Sequence, residues 1–147
     1  MNAYLALKQA QQNEMNNFPM MFAFSQSQFV EGMKILGLKE TDADKIYAIG
    51  GGGYIRKTDA PALKDMGKRH EAEMTAAISG DETGDGFIFQ MFDYELANHE
   101  YSYTGDIDDT LDALCLTVDD IANNIALKRG LLKAMKSQRE YAAFPAQ

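Results

Sequence analysis

The segment "FIFQMFDYELANH", from Phe87 to His99, decides the fold class of this chain. Its apolar residues recur every three or four positions, at Ile88, Met91, Phe92 and Leu96. This spacing is typical of one face of a helix, although "GFIFQMF" taken alone would also suit a strand. We prefer the helix, and because the rest of the chain carries similar helix signals, we predict a mostly α fold.

Helix start and stop signals divide the rest of the chain. They predict helices over residues 2–16, 25–36, 41–49, 58–79 and 107–116, one starting at the Thr117–Asp120 capping box, and one over the C-terminal segment. The segments "MMFAF" (20–24) and "YIRK" (54–57) are candidates for short strands. We predict one compact helical domain over residues 1–147, with about six helices. One short β-hairpin or small sheet would also fit the sequence. An α+β fold is the minor alternative.

Length and composition favour a folded cytoplasmic protein. The 147 residues are 46% hydrophobic, enough for a single core, and no apolar run approaches the roughly 20 residues of a membrane span. The N-terminal segment does not resemble a signal peptide. The single cysteine, Cys115, lies in the apolar run "LCLTV", which predicts a buried, reduced thiol.

The charges are unevenly distributed along the chain. The net charge is −8, and residues 81–120 hold twelve acids and no base, whereas residues 121–147 hold five bases and one acid. Such a negative field repels phosphate backbones, so we expect no direct binding of nucleic acid and no membrane association. A basic protein is the natural partner.

Six of these acids, between Asp106 and Asp120, alternate with apolar residues, so that carboxylates can point outward while the apolar side chains pack inward. An ordinary solvated face, partly neutralised by the basic C-terminal helix, would explain the same pattern. The functional interpretation is that rows of carboxylates mimic the phosphates of DNA. The candidate partner-binding residues are Asp93, Glu100, Asp106, Asp108, Asp109, Asp112, Asp119 and Asp120.

A second hypothesis is a metal-dependent enzyme. Glu95 and His99 are four residues apart and would share one face of a helix, and His70 and Glu73 are three apart. Together the four side chains would suit Zn, Mn or Fe. The spacing and order differ from those of carboxylate-bridged di-metal bundles, and a helix with ordinary polar residues explains the same letters.

The segment "DETGDGFI" (81–88) resembles the start of a calcium loop, with Asp81, Thr83 and Asp85 at ligand positions. The position that requires a bidentate Glu is Phe92, so a Gly/Asp-rich turn between helices is the simpler interpretation. The glycine run in "IGGGGYIRK" predicts a helix stop and not a phosphate loop. Because no complete catalytic motif is present, we expect no enzymatic activity and no cofactor.

The segments "FAFSQSQFVEGMKILGL", "GGGGYIRK" and "FDYELANHEYSYTGD" give the chain a resemblance to a family of small uncharacterised proteins over nearly its whole length. The most specific part is "YELANHEY" (94–101). That family is found in bacterial genomes and on phages, plasmids and integrative elements, and it carries no assigned activity.

The resemblance implies a mobile-element setting, in which small acidic proteins often inhibit host defence, as anti-CRISPR proteins do. We therefore expect a non-enzymatic, acidic inhibitor that presents a DNA-like surface to a basic host enzyme such as a nuclease or CRISPR effector. A structural or accessory phage or plasmid protein, forming a homo-oligomer through Phe- and Met-rich faces, is a further alternative.

Overall fold

A computed structural model describes residues 2–143 of the chain, with side chains up to Tyr141. This part contains eight α-helices and one three-stranded antiparallel sheet, which confirms a mostly α fold with a small sheet. The helices are α1 (Ala3–Asn16), α2 (Gln26–Ile35), α3 (Ala60–Ser79), α4 (Phe87–Asn98), α5 (Tyr101–Thr104), α6 (Asp108–Ala113), α7 (Val118–Ala122) and α8 (Ile125–Ala143). The strands are β1 (Met21–Phe22), β2 (Ile46–Gly50) and β3 (Gly53–Arg56). No helix in residues 2–143 is both long enough and apolar enough to cross a membrane.

The chain divides into two compact units. The first unit comprises Met1–Ala10 and Glu73–Gln147, and the second comprises Gln11–Ala72. The boundaries between the two units therefore fall inside α1 and α3, and not in the loops that connect helices and strands.

The core of the first unit is built on α4, which packs along α8. The predicted helical face of α4 is fully buried at Ile88, Met91, Phe92 and Leu96, so the segment 87–92 is a helix and not a strand. Burial of side chains of this size contributes roughly 1.5–3 kcal/mol each. The facing residues of α8 include Leu127, Leu131 and Ala134.

The loop that precedes α4 lies directly against the backbone of α8. A Cβ atom on Gly130 would lie 2.5 Å from Cγ2 of Ile88 and 2.7 Å from the carbonyl oxygen of Gly84. Since no real side chain tolerates such contacts, glycine at position 130 is what allows this close approach.

In the second unit, the three strands follow the spatial order β1-β3-β2. Helix α2 covers one face of this sheet, where Met33 and Leu36 pack on Met21. On the same face the rings of Phe29 and Tyr54 meet edge to face, with centroids 5.8 Å apart.

Three sequence predictions are wrong. The glycine run at positions 50–53 is not a helix stop but holds the turn between strands β2 and β3. The expected helix over residues 41–49 is a 3₁₀ turn at Ala43–Lys45 followed by strand β2, because the segment "IYAI" pairs with β3 and this pairing overrides the cap signal at Thr41. Cys115 is exposed and not buried, since it takes a left-handed conformation (φ 56°) in the turn after α6. The flanking leucines, Leu114 and Leu116, therefore pack against the core, whereas the thiol does not.

Candidate functional site

Side-chain hydrogen bonds lie at or just before the start of the two short acidic helices of the first unit, of which α7 has a side-chain N-cap. Before α6, an Asp106 carboxylate oxygen accepts a hydrogen bond of 2.8 Å from the backbone N–H of Asp108. At the start of α7, Asp120 accepts from the Thr117 N–H at 2.9 Å and its own N–H donates to the Thr117 hydroxyl at 3.1 Å. This confirms the predicted capping box. Negative charge in the first turn of each helix also suits the helix dipole.

We define the acidic face as the six exposed aspartates carried by and around α6 and α7: Asp106, Asp108, Asp109, Asp112, Asp119 and Asp120. Within the described part of the chain, none of these carboxylates forms a salt bridge. The field that they generate is therefore not cancelled at short range by a neighbouring base.

Four basic side chains of α8 contact groups outside the acidic face. Lys133 and Arg129 lie 3.5 and 3.8 Å from the carboxylate of Asp85, and Lys136 lies 3.9 Å from that of Glu140. Arg139 donates a hydrogen bond to the Tyr101 hydroxyl at 3.4 Å. The bases of α8 thus partly neutralise the acidic segment at Asp85, but these contacts do not reach the six aspartates of the acidic face.

An open groove of about 360 Å³ runs between α6 and the start of α7. Asp108 and Asp112, four residues apart on α6, line the groove together with aliphatic side chains, and the surface of the groove is more polar than apolar. Val118 is 68% exposed, which leaves an apolar side chain in solvent beside the carboxylates. The residues lining the groove are Asp108, Leu111, Asp112, Leu116, Thr117 and Val118.

The two other predicted partner-binding acids differ from the acidic face. Asp93 is half-buried, and its carboxylate accepts a hydrogen bond of 2.8 Å from the side-chain amide of Gln138, which ties α4 to α8. Glu100 is exposed and takes a left-handed conformation (φ 59°) immediately before α5. We therefore give Asp93 a structural role, whereas Glu100 is accessible.

The carboxylate of Glu95, a predicted metal ligand, lies inside the first unit and is only 3% exposed. Its Oε2 accepts a hydrogen bond of 2.5 Å from the Tyr4 hydroxyl and lies 3.4 Å from the Lys8 ammonium. Its Oε1 accepts from the Asn98 amide at 3.4 Å. Both carboxylate oxygens therefore already have protein partners, as a buried charge requires.

The other predicted transition-metal ligands do not complete a site around Glu95. His99 is half-buried just past the end of α4, and in the described residues neither Glu95 nor His99 belongs to a converging group of three or more metal-ligating side chains. His70, on α3 in the second unit, has its Nε2 3.4 Å from the Glu14 carboxylate. Glu73 lies one turn further along α3.

The candidate calcium loop uses its carboxylates for local contacts. Asp81 accepts hydrogen bonds from the backbone N–H groups of Gly84, Gly86 and Ile88 at 2.9 to 3.1 Å. Partial burial raises the pKa of Asp81, but these hydrogen bonds outweigh it, and the net pKa lies below the usual value. With Asp85 paired to Lys133, the arrangement is that of a structural turn.

Sequence reasoning missed the groove and the partners of Glu95. The pairing of Tyr4 with Glu95 joins residues 91 positions apart, and no local pattern signals it. The groove depends on the packing of α6 against α7, which the sequence does not reveal. The exposure of Val118 could have been predicted, because this residue follows the Thr117 cap and the first turn of a helix is often solvated.

Comparison with known proteins places the chain in a family without assigning an activity. No significant match to the chain is found among curated proteins or among solved structures. A family model matches residues 3–137, which is most of the chain. The chain belongs to the family of unknown function DUF7659.

Proposed function

We propose that this chain is a non-enzymatic protein-binding module whose acidic face docks on a basic surface of another protein. The observation that carries the proposal is the set of six exposed aspartates without a salt bridge in the described residues. The groove beside them adds the aliphatic side chains of Leu111, Leu116 and Val118 to the carboxylates of Asp108 and Asp112.

The two features have different physical roles in docking. Unpaired carboxylates steer a basic partner from a distance and raise its association rate, an effect that salt screens. The groove adds apolar burial after contact, which slows dissociation.

The partner class that fits best is a nucleic-acid-binding enzyme, because its substrate channel carries rows of Lys and Arg that bind phosphates. The aspartates of the acidic face would occupy those positions and compete with the nucleic acid. The resemblance to mobile-element proteins favours a host defence nuclease or a CRISPR effector within this class.

The test begins with a pull-down from a bacterial lysate at low and at moderate salt, followed by binding kinetics with the purified partner. The variant D106K/D108K/D109K/D112K should lower the association rate by at least tenfold and flatten its salt dependence. The matched control E40K/D44K/D65K/E71K makes the same change in net charge at exposed acids of the second unit. If both variants behave alike, or if neither changes the kinetics, the acidic face is only a solvated surface.

A further inference from the structure

Strand β2 forms an outer edge of the sheet in the second unit. It pairs with β3 along one side, through Ile46–Arg56, Tyr47–Ile55 and Ala48–Tyr54. Within residues 2–143, no strand pairs with its other side, and Tyr47 to Gly50 are exposed. Its outward N–H and C=O groups are therefore a template for another strand.

The sequence of β2 carries few of the features that normally protect a sheet edge. Natural edge strands are blunted by charged residues, by proline, by bulges or by being very short. The segment "IYAIG" has no charge and no proline, and it is five residues long. The one irregularity lies between Ala48 and Gly50, where Ile49 has no partner on β3.

Next to this edge, one face of the sheet carries exposed apolar side chains. Tyr47 is 50% exposed, Ile49 is 40% and Phe22 is 56%. The three lie on one face, because Tyr47 pairs with Ile55, and a Cβ on Gly53 would lie 3.0 Å from both Ile49 Cγ1 and Phe22 Cε1. This face is opposite the one that α2 covers. On it, Ile55 of β3 is buried, and the Lys57 ammonium lies 5.1 Å from the centre of the Tyr47 ring.

The net charge of the second unit bears on which kind of molecule can pair with this edge. Residues 11–72 hold eight acids and eight bases, so the net charge of −8 belongs entirely to the first unit. Because the second unit as a whole has no net charge, two copies of this unit meet without net repulsion between them.

We propose that β2 pairs antiparallel with β2 of a second copy of this chain. A twofold axis at Ala48 places Tyr47 of each copy opposite Ile49 of the other, and aromatic–β-branched pairs of this kind stabilise antiparallel ladders. The three strands of each copy then form one continuous sheet, with the two apolar faces side by side. This dimer does not depend on the acidic face or on its partner.

The first test is the mass of the full chain in solution, measured by sedimentation equilibrium over a range of concentrations. The wild-type chain should be a dimer, and I49K should shift the dissociation constant by at least a hundredfold. The control I35K places the same charge at an exposed isoleucine of α2 in the same unit and should leave the dimer intact. Circular dichroism checks that both variants are folded. A monomeric wild-type chain, or a dimer that I49K and I35K affect equally, overturns the proposal.

The second test fixes the register. Opposed residues of an antiparallel pair have Cα atoms about 4.5–5.5 Å apart, a distance that a disulfide spans. In a C115S background, A48C should therefore form a disulfide-linked dimer under mild oxidation, and I35C should not. A dimer in which A48C fails to cross-link contradicts pairing about Ala48.

Discussion

The phenolic oxygen of Tyr4 lies 2.5 Å from Oε2 of Glu95, so α1 is joined to α4 by a hydrogen bond to a buried carboxylate. Burial of Tyr4 raises the pKa of its hydroxyl, and the hydrogen bond and the negative charge of Glu95 raise it further. The hydroxyl therefore stays protonated and remains a donor at neutral pH.

Removing this donor should destabilise the fold. In Y4F the Glu95 carboxylate stays buried but loses its shortest hydrogen bond, which should lower the free energy of unfolding by about 1–3 kcal/mol. Urea denaturation measures the change. Y103F makes the same substitution at a tyrosine that is 89% exposed and should change stability by less than about 0.5 kcal/mol. Equal effects of the two substitutions would show that the buried contact contributes nothing.

The ion pair of Glu14 with Arg69 predicts a specific acid response. The guanidinium hydrogen-bonds both carboxylate oxygens and lowers the pKa of Glu14 to about 2, with a smaller contribution from His70. Because the folded-state pKa lies below the unfolded value of about 4.5, the stability that the pair provides is present above that value and is lost as pH falls toward 2.

Substitution of the arginine isolates this effect. R69Q should return the pKa of Glu14 toward its usual value, as measured by NMR titration of the Glu14 side chain. K68Q removes the same charge from the neighbouring position of α3 and should leave the pKa of Glu14 unchanged within experimental error. A low pKa for Glu14 in R69Q would mean that another group holds the carboxylate ionised.

Two glycines on helices should respond oppositely to the same substitution. In G130A, the added methyl group would overlap Ile88 and the Gly84 carbonyl, and overpacking of this kind costs typically about 1–3 kcal/mol. Gly67 lies inside α3, where an added methyl group would meet open space, so G67A should stabilise the chain by up to about 1 kcal/mol. Thermal unfolding of both variants checks the signs. A neutral G130A would show that the loop before α4 can move away from α8.

The Asp81 turn should depend on its carboxylate and not on a cation. D81A removes the acceptor of three backbone N–H groups at the start of α4, which should cost about 1–2 kcal/mol, as loss of a helix cap does. E82A, at the exposed neighbouring acid, should have almost no effect on the same thermal melt. Millimolar Ca²⁺ should not raise the melting temperature of the wild-type chain, and an increase that D81A abolishes would instead support the calcium-loop hypothesis.

Local signals made several parts of the fold predictable. The apolar periodicity of residues 87–99 identified α4 because that helix buries its whole predicted face, and the Thr117–Asp120 box fixed the start of α7 through contacts between near neighbours. Strand β2 could not be found in this way. Its pairing with β3 is a tertiary contact, and a cap signal at Thr41 competed with it.

The candidate site was predictable in composition but not in geometry. The absence of Lys and Arg between His70 and Leu127 marked the acidic segment. Which carboxylates remain unpaired depends on where the basic side chains of α8 lie. Lys133 forms an ion pair with Asp85 because α8 packs against the loop before α4, which is distant in sequence. For the same reason, nothing in the sequence separated the buried Glu95 from the exposed aspartates.

The acidic face and its groove should affect different steps of partner binding. V118A removes an exposed aliphatic group from the groove without changing charge, so it should raise the dissociation rate severalfold and leave the association rate and its salt dependence unchanged. The aspartate-to-lysine variant should act mainly on association, because steering operates before contact. I125A truncates an exposed isoleucine that does not line the groove and serves as the control in the same kinetic measurement. If V118A and I125A dissociate at the wild-type rate, the partner is held by charge without entering the groove.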